Sequence, residues 1–361
     1  MKRIFAALIS IIMLFNVVAC TNKDANKEDI KNKETFKESV KQEKTEKNTA
    51  FKEAEKKLLD SLQPLPKVSK EYKIAGIEPT LSNPFWVTFK EGYESAAKEY
   101  GVKCDVLATP KEDDVNGQLD IFKSVVGKDY DAIVFSAITP FNLIPGVLEA
   151  NKKNIPVVAA GNNIDDKKGK EAGANVLAHI TTDTEKQGEI GAKFIVDKIK
   201  KGKVAIIEGI SGASQGERRK NGAKKYFESV DGVEIISIQA GDWDRKKSYD
   251  IATNIVQANP DIEGIFCAND MMALGVVDAL KAMNKKQDVV VVGVDFIDEA
   301  RESIKSKELD ATVAMSPYLY AKGGLILALK ALEGQNIDQK VYWTPLEVVN
   351  SKNVDSFEGW K

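Results

Sequence analysis

Residues 204–229 read VAIIEGISGASQGERRKNGAKKYFES and contain one complete unit of the fold. The segment from Val204 to Glu208 is short, apolar and rich in β-branched residues, which is typical of a strand covered on both faces. Glycines and other small residues follow and predict a loop. The segment from Gly216 to Ser229 then predicts a helix. A strand followed directly by a helix indicates an α/β fold.

The same unit recurs on both sides of this stretch. In the first half, predicted strands at 72–77, 102–107, 132–136 and 156–160 alternate with predicted helices at 84–100, 115–126 and 143–151. In the second half, strands at 204–208, 233–239, 262–267 and 289–294 alternate with helices at 187–200, 216–229, 245–257 and 271–283. Such alternation predicts two Rossmann-like, doubly wound parallel sheets, one in each half of the chain.

The composition limits the kinds of site that these sheets can carry. The chain has 361 residues, with 52 Lys plus Arg against 54 Asp plus Glu and a formal net charge of -2. A protein that grips nucleic acid needs a basic surplus, so we expect no nucleic-acid partner. One His and three Cys are too few for a disulfide framework or for most zinc sites, so we expect no metal and no cofactor. Cys104 and Cys267 fall in strands of different halves, and we expect two separate buried thiols.

The first twenty residues predict export and anchoring. A positive head, Met1-Lys2-Arg3, precedes an apolar stretch over 4–18, which is typical of a signal peptide and short for a transmembrane helix. Val17-Val18-Ala19-Cys20 resembles the bacterial lipobox, in which the signal is cut before the cysteine and the thiol is lipidated. We therefore expect a signal peptide over 1–19 and a lipidated Cys20 on the extracytoplasmic face of the cell membrane, in the manner of Gram-positive bacteria. A membrane-spanning anchor is the alternative.

A charged segment follows the cysteine. From Thr21 to about Lys57 the chain is mostly Lys, Glu, Asp, Asn and Thr, a composition that cannot bury enough apolar surface to offset ordering entropy. We therefore expect a solvated tether over 20–67, which Pro64 and Pro66 end. A short helix at its end is suggested by four apolar residues on one helical face, Phe51, Ala54, Leu58 and Leu62.

Polar and aromatic side chains follow the predicted strands, where parallel sheets bind ligands. Asp270 can cap its helix, which leaves Asn269 to face the crevice. Aromatic rings stack on the C–H faces of sugars, and Asn, Arg and Asp hydrogen-bond hydroxyls, so the set suits a sugar. The candidates are Asn83, Phe85, Trp86, Asn162, Asn163, Arg219, Trp243, Asn269 and Asp295.

These stretches resemble the periplasmic sugar-binding proteins of the ribose/galactose type, also called type I periplasmic binding proteins, and most of all their allose-binding type. The resemblance is carried by Leu81–Trp86, Asn175–Asp183, Ala205–Gly222, Ala240–Arg245, Phe266–Gly275, Val290–Asp295 and Ala311–Ala314. It implies two lobes that are joined by three crossings and close on a sugar. We expect an N-terminal lobe over 68–182 and 316–337, and a C-terminal lobe over 183–315 and 338–361.

The resemblance also implies roles for the candidate residues. Phe85, Trp86 and Trp243 would sandwich the sugar ring, and Arg219 would bridge two ligand oxygens, which leaves Arg218 as the exposed arginine. The remaining family positions fall on Asn83, Asn269 and Asp295.

The chain departs from the allose-type pattern at the first-lobe end of the site. Pro79 replaces a lysine, Gly161-Asn162 replaces an acidic pair, and Met315 replaces a hinge glutamine. A buried polar group left unpaired costs about 1–3 kcal/mol, so a pocket loses such groups only where its ligand does not need them. We expect a ligand with fewer or differently placed hydroxyls at this end, lined by Asn162, Asn163 and Met315.

Together these features predict the solute-binding protein of an ABC importer, a monomer that captures a monosaccharide or small polyol and presents it to permease subunits. An enzyme is not expected, because no nucleophile–His pair is evident and we expect His179 to make a hydrogen bond near the first crossing. A sensor that passes a sugar or furanosyl signal to a chemoreceptor or kinase is the alternative.

Overall fold

The computed structural model describes residues 49–361. The helices are α1 (Thr49–Ser61), α2 (Pro84–Tyr100), α3 (Val115–Val126), α4 (Ile144–Lys152), α5 (Asp166–Ala172), α6 (Thr184–Ile199), α7 (Ser214–Glu228), α8 (Arg245–Ala258), α9 (Asp270–Ala282), α10 (Asp298–Lys305) and α11 (Pro317–Leu332). The strands are β1 (Lys73–Thr80), β2 (Lys103–Thr109), β3 (Ala132–Phe135), β4 (Val157–Ala160), β5 (His179–Thr181), β6 (Gly202–Glu208), β7 (Val233–Ala240), β8 (Ile262–Cys267), β9 (Val290–Asp295), β10 (Ala311–Ala314), β11 (Val341–Trp343) and β12 (Glu347–Asn350).

The strands form two six-stranded sheets that share one strand order and differ in the direction of one edge strand. The order is β11-β5-β4-β3-β1-β2 in the first and β12-β10-β9-β8-β6-β7 in the second. All neighbours pair in parallel except β10 and β12, which pair antiparallel. The predicted doubly wound lobes are therefore confirmed. The strand order reverses beside β1 and beside β6, and crevices at such points are where these sheets bind ligands.

Local sequence explains where the elements lie. Strands β3 and β4 are buried along their whole length, which is why they read as unbroken apolar runs. Asp114 begins α3 by accepting from the backbone N–H of Gly117, and Asp183 caps α6 by accepting from the N–H groups of Glu185 and Lys186. The observed starts of these two helices lie within a few residues of their predicted starts.

The chain passes between the lobes three times. The first passage follows β5 at 182–183, the second follows β10 at Ser316, and the third lies between β11 and β12 at 344–346. We expected the C-terminal lobe to resume at 338, but Val341–Trp343 pairs with β5 in the first sheet. The last boundary therefore lies later, because the chain completes the first sheet before it crosses.

The expected tether is shorter than its composition suggests. Phe51, Ala54, Leu58 and Leu62 are buried in the core of the folded body, so solvated chain cannot extend to residue 67. The predicted signal peptide and Cys20 lie outside the described residues. Within 49–361, no helix is both long and apolar enough to cross a membrane.

The two remaining cysteines are separate thiols, as expected. Cys267 is buried and Cys104 partly buried, and neither is bonded to another cysteine. Burial raises the pKa of the Cys104 thiol to about 12, so this group is a protonated, unreactive side chain at neutral pH. The described part of the chain contains no cluster of three His, Cys, Asp or Glu residues placed to hold a metal ion.

Candidate ligand-binding cleft

Loops from both lobes meet around a small cavity between the sheets. The first lobe contributes the loops after β1 and β2, and the second lobe the loops after β6, β7, β8 and β9. The cavity has a volume of about 10 Å³, roughly the room of one water molecule, and side chains of both lobes line it. Its lining is aromatic, amide and charged: Asn83, Phe85, Glu112, Gln215, Arg219, Trp243, Asn269 and Asp295.

On the first lobe, Asn83 and Phe85 are positioned by the start of α2. Asn83 Oδ1 accepts from the backbone N–H of Phe85 at 3.1 Å, and Pro84 occupies the first helical turn. Phe85 faces the cavity. Trp86 packs edge-on against it, with ring centroids 4.9 Å apart, and is only 1% exposed. Of the two adjacent aromatics, one lines the cavity and the other supports it from behind.

On the second lobe, Arg219 is held from several sides. Its Nε donates to Gln187 Oε1 at 2.7 Å, and its Nη1 donates to the backbone carbonyl of Ala268 at 2.8 Å. Its Nη2 lies 3.4 Å from Asp295 Oδ1, and both side chains are buried. A guanidinium fixed at two nitrogens presents the rest of its planar fork to the cavity in one orientation.

The carboxyls beside Arg219 differ in their roles. Asn269, not Asp270, caps α9: its Oδ1 accepts from the N–H of Met272 at 2.9 Å. Asp270 is buried beneath the site, where it accepts from Thr312 Oγ1 at 2.6 Å and from the N–H of Ile297. Burial raises the pKa of Asp270 to about 7. Burial likewise raises the pKa of Asp295 well above its usual value, against the effect of Arg219.

Two of the cavity-lining loops contain left-handed backbone at residues that have side chains. Asp242 and Trp243 have φ values of 54° and 61°, and Asp295 and Phe296 have 121° and 65°. Such conformations cost on the order of 1–3 kcal/mol each and persist where the surrounding structure over-determines them. Trp243 lies over Gly209, where a Cβ would meet the indole at 2.0 Å. The loop after β6 therefore needs glycine at this position.

Four of the ten predicted ligand residues do not line the central cavity: Trp86, which we expected to stack on the sugar, lies behind Phe85, and the other three lie elsewhere. Asn162 and Asn163 line a larger cavity of about 400 Å³ near the first and third crossings, together with Arg218 and Trp343. Met315 is buried at the second crossing, where its carbonyl accepts from Trp360 Nε1 at 3.0 Å. None of the three is among the side chains that line the central cavity. Arg218 is half-exposed, with Nη2 3.8 Å from Asp183 Oδ1.

His179 makes the hydrogen bond that we predicted near the first crossing. Its Nε2 lies 2.8 Å from the carbonyl oxygen of Gly161. Burial lowers the pKa of His179 to about 4, so the ring is neutral at pH 7. Because the carbonyl can only accept, Nε2 carries the proton.

The sequence interpretation missed Glu112 and Gln215. Glu112 follows β2 and accepts from Trp86 Nε1 at 2.7 Å and from Asn83 Nδ2 at 3.2 Å. Burial raises the pKa of this carboxyl, against those two hydrogen bonds and the charge of Arg219. The position of Glu112 just after a predicted strand could have identified it as a site residue. However, the surrounding Lys-Glu-Asp-Asp sequence is typical of an exposed loop.

Comparison with known proteins shows which family this chain belongs to. A family model described as a periplasmic binding protein domain matches residues 74–336. The D-allose-binding periplasmic protein of Escherichia coli is 44% identical over 254 residues, which cover 70% of this chain and 82% of that protein. The ribose import binding protein RbsB of Bacillus subtilis is 33% identical over 284 residues, 78% of this chain and 88% of that one.

Solved structures agree with the sequence matches. An ABC transporter periplasmic solute-binding protein from Actinobacillus succinogenes, with bound D-allose, superimposes with a TM-score of 0.76 at 32% identity, over 79% of this chain and 99% of that one. A carbohydrate transporter solute-binding protein from Agrobacterium radiobacter, in complex with D-arabinose, gives 0.73 at 28% identity, over 79% and 96%. These relatives bind solutes and are not enzymes. The chain belongs to the periplasmic binding protein family.

Proposed function

We propose that this chain is the lipid-anchored, extracytoplasmic solute-binding protein of an ABC importer, and that it captures a monosaccharide or small polyol by closure of its two lobes. The observation that carries the proposal is the central cavity. There, aromatic rings from both lobes converge with amide, guanidinium and carboxyl groups. Sites of this kind fix a ligand by a few placed polar groups within an apolar surround.

The geometry suggests how the ligand is held. Phe85 and Trp243 come from opposite lobes and would stack on the two faces of a sugar ring. Arg219 and Asn269 would donate hydrogen bonds, while Asp295 would accept them. Because the groups are divided between the lobes, a complete set of contacts forms only after closure.

The names of the relatives support a role in import. Relatives named for ribose import or for ABC transport share the fold over most of this chain, whereas no feature of the cleft favours the sensor alternative. Permease subunits would receive the loaded protein at the membrane. We propose that the protein acts as a monomer.

The anchor makes a separate prediction. If Cys20 is lipidated after removal of residues 1–19, the Cys20→Ser variant will appear in the culture medium and incorporate no labelled palmitate. The wild-type chain will stay in the membrane fraction and carry the label. Equal release of both forms would contradict the anchor without bearing on the cleft.

A thermal-shift screen with monosaccharides, polyols and nucleosides tests the binding function. A ligand at 100 times its Kd adds about 2.7 kcal/mol of stability, which gives a clear shift in Tm. We expect a shift with at least one sugar or polyol, but not the tight allose or ribose binding that the allose-type pattern would give, because of Pro79 and Gly161. A shift with nucleosides alone, or with nothing in the screen, would contradict the proposal.

A further inference from the structure

We propose that Glu112 is a positioning and specificity-determining residue of the cleft. Its carboxylate would orient the first-lobe side chains of the site and accept a hydrogen bond from a hydroxyl group of the ligand. The inference rests on the proposed function, since it concerns the same cavity. Glu112 was not among the residues that the family resemblance implied.

The positioning role follows from hydrogen-bond geometry. Asn83 Oδ1 is engaged by the N–H of Phe85, so its Nδ2 must point away from the helix, where Glu112 Oε2 accepts from it at 3.2 Å. The other oxygen, Oε1, accepts from the indole N–H of Trp86 at 2.7 Å. One carboxylate thus orients an amide that lines the cavity and the ring that supports Phe85.

The specificity role follows from the acceptor positions on the Glu112 carboxylate that Asn83 and Trp86 leave free. A carboxylate offers about four acceptor positions, and two are used by Asn83 and Trp86. Glu112 lines the cavity from the first lobe, across from Arg219 and Asp295 of the second lobe. A hydroxyl that enters between them could donate to Glu112 and accept from Arg219, so its position on the sugar ring would be selected.

Glu112→Gln tests the proposal. Glutamine has nearly the same shape but only one acceptor atom, so it cannot accept from both Trp86 and Asn83. We expect calorimetric titration of the full chain to show a roughly 10- to 150-fold weaker affinity, as follows from a hydrogen bond to a charged group worth about 1.5–3 kcal/mol. The titrants are D-allose, D-ribose, D-arabinose, D-fucose and myo-inositol.

The matched control is Asp113→Asn, which removes the neighbouring exposed carboxylate. It should change affinity less than twofold. A specificity role also requires the rank order among the five titrants to change in Glu112→Gln, which general loosening of the fold would not do. Glu112→Asp keeps both acceptors and should recover part of the affinity.

The outcomes separate this inference from the proposed function. If the wild-type chain binds none of the sugars or polyols in the wider thermal-shift screen, the proposed function fails. If the wild-type chain binds but Glu112→Gln binds as tightly, with the same rank order, only the role of Glu112 is overturned. Thermal unfolding of the ligand-free variants checks that each is folded.

A second inference rests on different residues, those of α1. This helix lies before the matched family region of 74–336, yet it is packed into the body. Lys322 Nζ, on α11, lies 3.0 Å from Glu55 Oε1, and Lys330 Nζ donates to the carbonyl of Leu62 at 3.0 Å. Both lysines are at least 95% buried. Lys322 also pairs with Glu99 of α2 at 2.6 Å, so α1 supplies one of its two carboxylate partners, and the chain just after α1 supplies the acceptor for Lys330.

The far end of α1 contacts the junction of the lobes. The ring of Phe51 lies edge-on to Tyr318, at the start of α11, and to Trp360, with centroids 5.6 and 6.0 Å apart. Trp360 packs on Phe357, which in turn packs on Phe296 of the second lobe. Phe51 therefore contacts α11, which packs on the first sheet, and a C-terminal segment that packs on the second lobe.

We infer that α1 is a strap across the hinge that favours the closed arrangement. The contacts of Phe51 to both partners exist at the inter-lobe angle of this structure, in which side chains of both lobes line the central cavity. A contact present in one of two conformations stabilises that conformation, and the affinity for a ligand that binds it rises in proportion to its population.

Phe51→Ala in the full chain tests the strap. We expect a several-fold weaker affinity for the best sugar of the panel above, mainly through faster dissociation, and a larger radius of gyration of the ligand-free protein in small-angle scattering. The control is Glu53→Ala with Lys57→Ala, on the exposed face of α1, which should leave both quantities unchanged. A folded Phe51→Ala protein with wild-type affinity and radius would overturn the strap.

Discussion

At the scale of single residues, the site depends on groups whose orientation is fixed before a ligand arrives. Arg219 is the best-supported example, since Gln187 Oε1 and the carbonyl of Ala268 each accept one of its N–H groups. A site held in this way loses less conformational entropy on binding, and so it can convert more of its contact energy into affinity.

Replacing Arg219 with lysine should therefore weaken sugar binding strongly. Lysine keeps the charge but cannot keep both anchoring hydrogen bonds and still reach the ligand. We expect a loss of about 1.5–3 kcal/mol, or roughly 10- to 150-fold in Kd, by calorimetry. Arg218→Lys is the control, since Arg218 is half-exposed and outside the central cavity. A loss in Arg219→Lys no larger than that in Arg218→Lys would show that binding does not depend on the guanidinium group of Arg219.

Gly209 should not tolerate a side chain. A Cβ there would meet the Trp243 ring at 2.0 Å, so Gly209→Ala must displace the indole, at a cost of about 1–3 kcal/mol in stability and with loss of sugar binding. Gly127→Ala is the control, because φ there is -80° and the nearest atom lies 3.4 Å from the added carbon. Chemical denaturation and calorimetry measure the two effects. Unchanged affinity in Gly209→Ala would mean that Trp243 is not a ligand contact.

The neutral ring of His179 predicts a pH dependence of stability. Its folded pKa of about 4 lies below the unfolded value of about 6.5, so its contribution is complete above pH 6.5 and is lost as pH falls toward 4. Between pH 7.5 and 5 the wild-type chain should lose up to about 2 kcal/mol more than His179→Gln, in urea unfolding. Parallel pH profiles of the two proteins would contradict this assignment.

The candidate site could be predicted from sequence only in part. Asn83, Phe85, Arg219, Trp243, Asn269 and Asp295 follow strands whose ends meet at one edge, and this rule found them. Asn162 and Asn163 also follow a strand, but β4 lies farther from the reversal point than β1, and they line the cavity near the crossings instead. Glu112 was missed because its charged neighbours are those of a surface loop.

At the scale of elements, close helix packing positions Arg219. Gly188 on α6 faces α7, and a Cβ there would lie 1.8 Å from the backbone carbonyl oxygen of Arg219. Gly188→Ala should push the helices apart, lower the unfolding free energy by about 1–3 kcal/mol and weaken sugar binding as well. Lower stability with unchanged affinity would show that the site does not depend on this contact.

Two helices show why hydrophobic periodicity alone could not predict every element of the fold. Helix α11 is buried around its whole circumference from Pro317 to Lys330, so it has no polar face and gave no amphipathic signal. Helix α1 has an apolar face that the sequence revealed, but its charged composition concealed that this face packs on the body. The regular strand–helix units, by contrast, were predicted nearly residue by residue, because most of their strands are buried on both faces and read as apolar runs.

At the scale of the whole molecule, the two lobes share one topology and are joined where the chain passes between them. Candidate binding residues from both lobes line the central cavity, and α1 and the C-terminal segment meet beside the second crossing. The fold, the family and the central cavity thus agree with capture of a small solute between the lobes.

Calorimetric titration of the full chain with monosaccharides and polyols tests this account most directly. We predict one sugar or polyol bound per chain, with a negative heat-capacity change from the apolar surface that closure buries and with binding abolished or strongly weakened in Arg219→Lys. Binding that survives unchanged in Arg219→Lys, or no binding of any sugar or polyol by the wild-type chain, would contradict it.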